Sequence, residues 1–278
     1  MRLALVVVVA SAIACGASPP PCVVPPPGPQ GPPFLWKVQH PNGPVIWLYG
    51  TIHDAGEDEV PQVAKIALDS SKHFASELGD AEPDMKQLAE LARLPFGKVL
   101  DQMLPADDWW ELVDAMRGTM SEDELRHAQP WFAMTRLTSK VAAPPKPSMD
   151  DALAARAKQH GIPVDALESW SEQMTALAKA VNVADLQQAI HARKGIACEL
   201  SKMRALYDAG DGAALEPLLV VRDQGTLIDA RNAKWQAQLE SYAASEGAFV
   251  AVGLGHLLGE RGLPAVLARA GFLVERVR

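Results

Sequence analysis

The strongest constraint on the fold of this chain is a pair of short apolar runs that lie about 200 residues apart. Residues 45–49 and 248–252 are continuous apolar runs that contain β-branched or aromatic side chains, and each ends at a glycine, Gly50 or Gly253. Such runs are typical of strands buried on both faces, which occur in sheets covered by helices. The chain is therefore predicted to be an α/β protein.

Each run is followed by a Gly-x-x-His motif, a predicted helix and a predicted strand that carries a glutamate. The first unit comprises Gly50 to His53, 61–72 and 73–77 with Glu77, and the second comprises Gly253 to His256, 263–270 and 272–277 with Glu275. Strands that alternate with helices form βαβ units. We therefore predict a central, mostly parallel sheet built from two pseudo-repeated strand–Gly-x-x-His–helix–strand units.

The middle of the chain is predicted to be largely helical. A helix over 148–159 and a strand over 162–167, which is followed by Glu168, repeat half of the unit. Residues 84–140 and 169–240 have amphipathic helical patterns. These two segments are expected to pack over the sheet or to form a helical insertion or cap.

The N-terminus has the pattern of an export signal over residues 1–14. Arg2 precedes an apolar run, 3–14, that is too short to span a bilayer and suits a signal peptide. The run ends in Ala12-Ile13-Ala14-Cys15, which resembles the lipobox of bacterial lipoproteins, although Ala12 stands where Leu is usual. Lipidation of Cys15 is the prediction, and an ordinary cleaved signal with an incidental cysteine is the alternative.

Residues 15–33 are predicted to be a lipidated cysteine followed by a Pro-rich tether. Nine of the eighteen residues from Gly16 to Pro33 are proline, a composition that favours an extended, partly polyproline II segment. The folded domain is then 34–278. The absence of Asp after Cys15 favours the outer membrane, so the chain is expected in the cell envelope, anchored to the membrane by lipid.

Composition and motifs exclude several classes of protein. The net charge of −8 gives no basic footprint for nucleic acid. Three cysteines without a CxxC pair are too few for a disulfide scaffold and do not indicate structural zinc. The sequence contains no HExxH helix, no Gly-x-Ser-x-Gly elbow and no P-loop.

His53 and His256 are the first candidates for chemistry because each follows a predicted buried strand. In open parallel sheets, ligands bind beyond the carboxyl ends of the strands. Neutral imidazole is a common ligand of transition metals, and two imidazoles with a carboxylate and an open position are typical of hydrolytic metal sites. The alternative is a structural role for each histidine through hydrogen bonds.

Glu77 is the best candidate carboxylate because it ends a strand expected to neighbour the His53 strand. It is predicted to bind the metal or to act as general base, the alternative being a helix cap. Glu168 has the same strand-end context without a histidine beside it. Arg231 lies on a predicted helix, and it either pairs with Glu77, holds a substrate carboxylate or phosphate, or is a surface charge.

An ordered series of short matches over 34–278 resembles the TraB/GumN family, which has TIKI-like and PrgY-like members. The matches are Leu35-Trp36-Lys37-Val38, Leu48-Tyr49-Gly50-Thr51-Ile52-His53, Ser76-Glu77-Leu78, Pro130-Trp131, Met149-Asp150 with Leu153, Leu167-Glu168 with Gln173, Arg231-Asn232 with Trp235, and Val252-Gly253-Leu254-Gly255-His256-Leu257. The resemblance implies a fold like that of erythromycin-esterase (EreA) and ChaN relatives. It also implies an active centre of His53, His256 and Glu77.

Further positions follow from the same resemblance. Gly50, Gly253, Glu168 and Asn232 are secondary site candidates, and Mn, Co or Zn is the expected divalent metal. One departure stands out: the family usually has Glu-Leu-Asp where this chain has Glu77-Leu78-Gly79, with the acid one place later at Asp80.

The leading functional hypothesis is a metal-dependent hydrolase of the cell envelope that acts on peptide bonds. His53, His256 and Glu77 would surround the metal, and Arg231 would stabilise charge on the substrate or in the transition state. The alternative is a non-catalytic envelope lipoprotein that binds and sequesters a peptide or small ligand in the same cleft.

The lipidation prediction is tested by replacing Cys15 with serine in the full chain. Cys15→Ser removes the thiol to which lipid would be attached, so we expect the protein to leave the membrane fraction on cell fractionation. A variant that fractionates like the wild type would contradict the prediction.

Overall fold

The computed structural model describes residues 22–26, 28–53, 55–142, 147–219 and 223–278. Its centre is a six-stranded mixed sheet with the strand order β4-β3-β5-β2-β1-β6. The strands are β1 (Leu35–Gln39), β2 (Ile46–Thr51), β3 (Phe74–Ser76), β4 (Val164–Ala166), β5 (Ala248–Gly253) and β6 (Leu273–Arg276). The predicted signal segment 1–14 and Cys15 lie outside the described residues.

Twelve α-helices lie among the described residues. They are α1 (Gln62–Asp69), α2 (Met85–Leu91), α3 (Ala106–Met116), α4 (Glu122–Arg126), α5 (Pro130–Val141), α6 (Met149–Gln159), α7 (Trp170–Ala180), α8 (Val183–Ala192), α9 (Ile196–Asp208), α10 (Gly212–Leu215), α11 (Ala230–Ala244) and α12 (Leu263–Arg269). A π-helical turn, Gly225–Asp229, leads directly into α11. The α/β class predicted from the sequence is confirmed.

The two apolar runs that dominate the sequence form the neighbouring central strands of the sheet. β2 and β5 pair in parallel, from Ile46 opposite Ala248 to Thr51 opposite Gly253. Apart from Trp47 and Gly253, which are partly buried, the residues of both strands are buried. Helices therefore cover both faces at this point, as the continuous apolar pattern predicted.

The sheet is not purely parallel, because its β1 and β6 side is antiparallel. β1 and β2 form a hairpin whose turn is closed by the Gly43 N–H donating to the His40 carbonyl at 2.9 Å, with Asn42 at φ 63°. A connection this short can join only antiparallel strands. β6 then adds to the free edge of β1 in antiparallel orientation, whereas β4, β3, β5 and β2 form three parallel pairs.

The helical segments form a second apolar core beside the one on the sheet. The core on the sheet includes residues of α1, α6, α11 and α12, among them Trp235 and Leu239. Residues of α2 to α5, α7 and α8 instead pack among themselves around Trp109, Trp131 and Leu186. Leu227 and Ile228 of the π-helical turn belong to this second core, so the turn and α11 connect the two cores. None of the helices in the described ranges is long and apolar enough to cross a membrane.

The described part of the Pro-rich segment has no helix or strand, but it is fastened to the domain. Cys22 forms a disulfide with Cys198 of α9, a pairing across 176 residues that sequence reasoning missed. The N–H of Gly31 donates to the Asp208 carbonyl at 2.9 Å, and a Cβ at Gly31 would lie 1.9 Å from the oxygen of Ala209. Arg276 donates to the carbonyl of Pro32 at 2.7 Å. The segment therefore lies directly on the domain that was predicted to begin at residue 34.

The disulfide predicts a measurable contribution to stability. Cys198→Ser should lower the free energy of unfolding by about 2–4 kcal/mol, because the bond closes a long loop and restricts the unfolded chain. Chemical denaturation of the oxidised proteins measures this difference. Cys22→Ser is the matched control and should have the same effect, and reductant should remove the difference from the wild type. Unchanged stability in both variants would refute the prediction.

Candidate active site

The carboxyl ends of four parallel strands bring the residues predicted from the sequence to one edge of the sheet. His53 follows β2, Glu77 follows β3 and Glu168 lies just after β4, while β5 ends at Gly253 and a 3-10 turn carries the chain on to His256. The pairing of β3 with β4 continues past both strands, since the Glu168 N–H donates to the Glu77 carbonyl at 3.0 Å. The two glutamates therefore start from adjacent backbone positions at this edge.

The guanidinium of Arg231, on the first turn of α11, lies at the centre of the site with its side chain 12% exposed. Its Nε contacts both carboxylate oxygens of Glu168 at 3.1 Å, and Nη2 contacts Glu168 and Glu77 at 2.5 Å each. Nη1 donates to the Leu227 carbonyl and to Nε2 of His256, both at 3.0 Å. These contacts engage all five N–H groups of the guanidinium.

Glu77 accepts hydrogen bonds on both carboxylate oxygens. Oε2 accepts from Arg231 and, at 2.9 Å, from Nε2 of Gln173, while Oε1 accepts from the Gly253 N–H at 2.9 Å. Burial opposes ionisation of Glu77, but the charge of Arg231, with smaller contributions from His256 and Gly253, holds its pKa well below the ordinary value. Glu77 is therefore an anion at neutral pH.

Glu168 is the more deeply buried acid, with a side chain only 2% exposed. Burial raises its pKa above the ordinary value, and the nearby charge of Glu77 acts in the same direction, while Arg231 opposes the shift. For Arg231, burial lowers the pKa, but the two carboxylates outweigh that effect and raise it above its ordinary value. The three side chains thus stabilise one another as a buried ion cluster.

His256 is buried, and both of its ring nitrogens have partners. Nδ1 lies 2.7 Å from Oδ1 of Asn232, whose Nδ2 donates to the carbonyls of His256 and Arg261. The ring packs on Trp235 with centroids 4.6 Å apart, and Nε2 lies 3.8 Å from Oε1 of Glu77. Burial is the main cause that lowers the pKa of His256 to about 3, so the imidazole is neutral at pH 7.

His53 is the accessible histidine of the site, with its side chain 37% exposed. Its Nδ1 lies 3.7 Å from Oδ2 of Asp150, at the start of α6, and the other oxygen of Asp150 accepts from Thr51 Oγ1 at 2.9 Å. The first Gly-x-x-His motif therefore places an imidazole and a carboxylate at the same edge of the sheet as the buried ion cluster.

The two motif glycines are needed for close packing rather than for a left-handed turn. Neither has a positive φ. A Cβ at Gly50 would lie 2.7 Å from Cδ1 of Leu254, in the turn after β5. A Cβ at Gly253 would lie 3.2 Å from Oε1 of Glu77. The absence of a side chain at these two positions lets the second motif approach β2 and lets Glu77 reach the backbone.

The sequence of this chain matches the model of a known protein family. The model of the TraB/PrgY/gumN family matches residues 34–276. The chain belongs to the TraB/PrgY/gumN family. No curated protein and no solved structure is similar enough to this chain to count as a match.

The family membership confirms the resemblance seen in the sequence, and the structure shows where the chain's departure from the pattern lies. Gly79 has φ 57°, and a Cβ there would lie 3.0 Å from the backbone oxygen of Asp165. Asp80, the next acid, forms an ion pair with Lys158 at 2.9 Å on a half-exposed surface. Asp80 therefore pairs with Lys158 on the surface and is not one of the acids that contact Arg231.

The structure separates Glu275 from Glu77. Glu275 lies on β6, opposite Lys37 of β1, at the far edge of the sheet and three strands from β5. The other five histidines have partners elsewhere in the fold. His40 stacks on Phe272, and the other four pair with aspartates: His73 with Asp165, His127 with Asp123, His160 with Asp69, and His191 with Asp108.

Three residues of the site were not singled out by sequence reasoning. Asp150, Gln173 and Trp235 entered only as parts of the family matches, yet they contact His53, Glu77 and His256, respectively. Of the three, only Asp150 has a local sequence signal. It is an acid in the first turn of a helix, at the sheet edge where ligands bind. Gln173 and Trp235 have the pattern of ordinary helix residues.

The predicted metal ligands do not fit a three-ligand site as they are folded. Within the described ranges, no group of three or more His, Cys, Asp or Glu side chains is arranged to hold a metal ion. Both oxygens of Glu77 and both nitrogens of His256 already have hydrogen-bond partners. The involvement of Mn, Co or Zn stays a prediction.

The ion cluster predicts a large stability effect. Arg231→Gln leaves two buried carboxylates without their cation, so the free energy of unfolding should fall by about 3–5 kcal/mol. Urea denaturation at pH 7 measures the change. The control is Arg261→Gln, which removes an exposed ion pair with Asp229 and should change stability by less than about 1 kcal/mol. Equal effects in the two variants would contradict the central role of Arg231.

Proposed function

We propose that this chain is a hydrolase of the cell envelope that cleaves peptide bonds, with His53 as its general base. The observation that carries the proposal is the position of His53, beside a carboxylate and next to the buried cluster of Glu77, Arg231 and His256. Such a cluster of charged groups with shifted pKa values at the carboxyl edge of a sheet is a candidate catalytic centre on physical grounds.

Asp150 is the positioning residue for His53 in this proposal. The carboxylate lies 3.7 Å from Nδ1, beyond a hydrogen bond, and its negative charge favours the imidazole form that carries its proton on that nitrogen, which leaves the lone pair on Nε2. Thr51 holds the Asp150 carboxylate through its hydroxyl, so β2 and α6 together fix the position of the negative charge near His53. The imidazole is accessible enough to meet water and substrate.

The proposed reaction is a direct attack of water on the peptide carbonyl. Nε2 of His53 takes a proton from the water as its oxygen bonds to the carbonyl carbon. The same proton passes to the nitrogen of the leaving amine as the C–N bond breaks, which yields a carboxylic acid and an amine. The fixed negative charge of Glu77 stabilises the imidazolium that forms in between.

The alternative is a non-catalytic protein that binds and sequesters a peptide or small ligand. One observation favours it: the donors of Arg231 and the nitrogens of His256 are engaged within the protein, as in a rigid binding scaffold. Of the site residues, His53 is then the one available for catalysis. The two functions differ in whether replacing His53 abolishes cleavage of peptides.

Export and lipid anchoring are part of the proposal. The disulfide between Cys22 and Cys198 supports it, because disulfides persist in oxidising compartments outside the cytosol. We also propose that the two strand–Gly-x-x-His–helix–strand units are related to each other and to the erythromycin-esterase and ChaN folds. The parallel pairing of β2 with β5 supports the relation between the two units.

The hydrolase is tested with the full chain in detergent, incubated with a defined mixture of unstructured peptides whose products are identified by mass spectrometry. His53→Ala should lower kcat by about 10²–10⁴-fold, the usual contribution of a general base. Asp150→Asn should lower kcat with little change in KM and should shift the pH profile, because it acts through His53.

His127→Ala is the matched control. His127 has almost the same exposure, 38%, and lies 3.6 Å from Asp123, but it belongs to the helical layer. This variant should cleave like the wild type. A His53→Ala variant that keeps full activity would refute the assignment of the base. A folded wild type that binds peptides saturably without cleaving them would replace the hydrolase with the binding function.

A further inference from the structure

We infer that the guanidinium of Arg231 fills the cation position of this site, so that Glu77 and His256 do not bind a divalent metal while Arg231 is present. The inference goes beyond the proposed function by naming the cation around which the site is built. Its importance for catalysis rests on the proposed function, but the contacts that carry it do not.

The first argument is the proton arrangement on His256. A neutral imidazole has one nitrogen that donates and one that accepts. Asn232 presents Oδ1 to Nδ1, because its Nδ2 donates to the carbonyls of His256 and Arg261. The opposite orientation of the amide would lose both of these bonds. Nδ1 of His256 therefore carries the proton, and Nε2 carries the lone pair.

The second argument is what occupies that lone pair. Nη1 of Arg231 lies 3.0 Å from Nε2 of His256, and arginine has donors only. The guanidinium N–H therefore donates to Nε2, the atom that would have to bind a metal. The nearest carboxylate oxygen, Oε1 of Glu77, is 3.8 Å away, which is beyond a hydrogen bond. The lone pair of His256 is already used.

The third argument is the environment of Glu77. Three donors from Arg231, Gln173 and Gly253 converge on its two oxygens. A metal at about 2.0–2.2 Å from either oxygen would compete with these donors and would lie next to a fixed positive charge. Glu168 prevents the guanidinium from moving aside, because it holds both Nε and Nη2.

The inference is tested by titrating the full chain with Mn²⁺, Co²⁺ or Zn²⁺ alone and following bound metal by equilibrium dialysis and by the visible absorption of Co²⁺. The wild type should bind no stoichiometric metal at this site. Arg231→Ala should bind Co²⁺ at least about 100-fold more tightly than the wild type, because it frees Nε2 of His256 and Oε2 of Glu77. Arg261→Ala is the matched control and should behave like the wild type.

A double variant keeps the test decisive if Arg231→Ala does not fold. Arg231→Ala with Glu168→Ala removes one cation and one buried carboxylate together, so the charge balance of the cluster is kept. One equivalent of metal in the wild type that His256→Asn abolishes would overturn the inference. A folded double variant that gains no metal would also overturn it. Neither readout uses substrate, so failure here is distinct from failure of the proposed hydrolase.

Discussion

The structure depends most on a single buried guanidinium whose five N–H groups all have acceptors. Arg231 lies between Glu77 and Glu168 and also reaches His256 and the Leu227 carbonyl. A buried charge without partners is strongly destabilising, so each of these groups constrains the others. The contacts join α11 to the ends of β3, β4 and β5, and they hold the helical layer against the sheet through the π-helical turn before α11.

The parallel half of the sheet makes this arrangement possible. Parallel strands all end at the same edge, so side chains from residues 77, 168 and 253–256 meet there although they are far apart in sequence. The backbone hydrogen bond from the Glu168 N–H to the Glu77 carbonyl brings the two acids together. Two like charges at adjacent positions then require a cation, and Arg231 supplies it.

The site divides into an inner and an outer part. The inner part is the cluster of Glu77, Glu168, Arg231 and His256, whose polar atoms hold one another. The outer part is His53 with Asp150 and Thr51, which is accessible to solvent. A general base needs access to water and a defined orientation, whereas the charges that support it work best when they are buried and fixed. The division therefore suits the proposed function.

Local patterns in the sequence were sufficient to predict β2, β5, α1, β3, α6, β4, α12 and β6, because burial on both faces and the alternation of strands with helices are visible within a few residues. The same patterns placed His53, Glu77, Glu168 and His256 at strand ends. The strand β1, in contrast, carries polar residues at Lys37 and Gln39 and gave no comparable signal.

The sequence by itself therefore determined the α/β class, the central strands and the edge at which the candidate residues lie. Only the tertiary structure decided the antiparallel side of the sheet, the bond between Cys22 and Cys198, and the choice of partners: Arg231 for Glu77, Glu168 and His256, and Asp150 for His53. Helix and strand periods depend on near neighbours along the chain, whereas the disulfide and the side-chain contacts of Arg231 and His53 join residues 25 to 176 positions apart. Their identity is fixed by which groups must share a buried, low-dielectric space, a condition that exists only once the chain has folded.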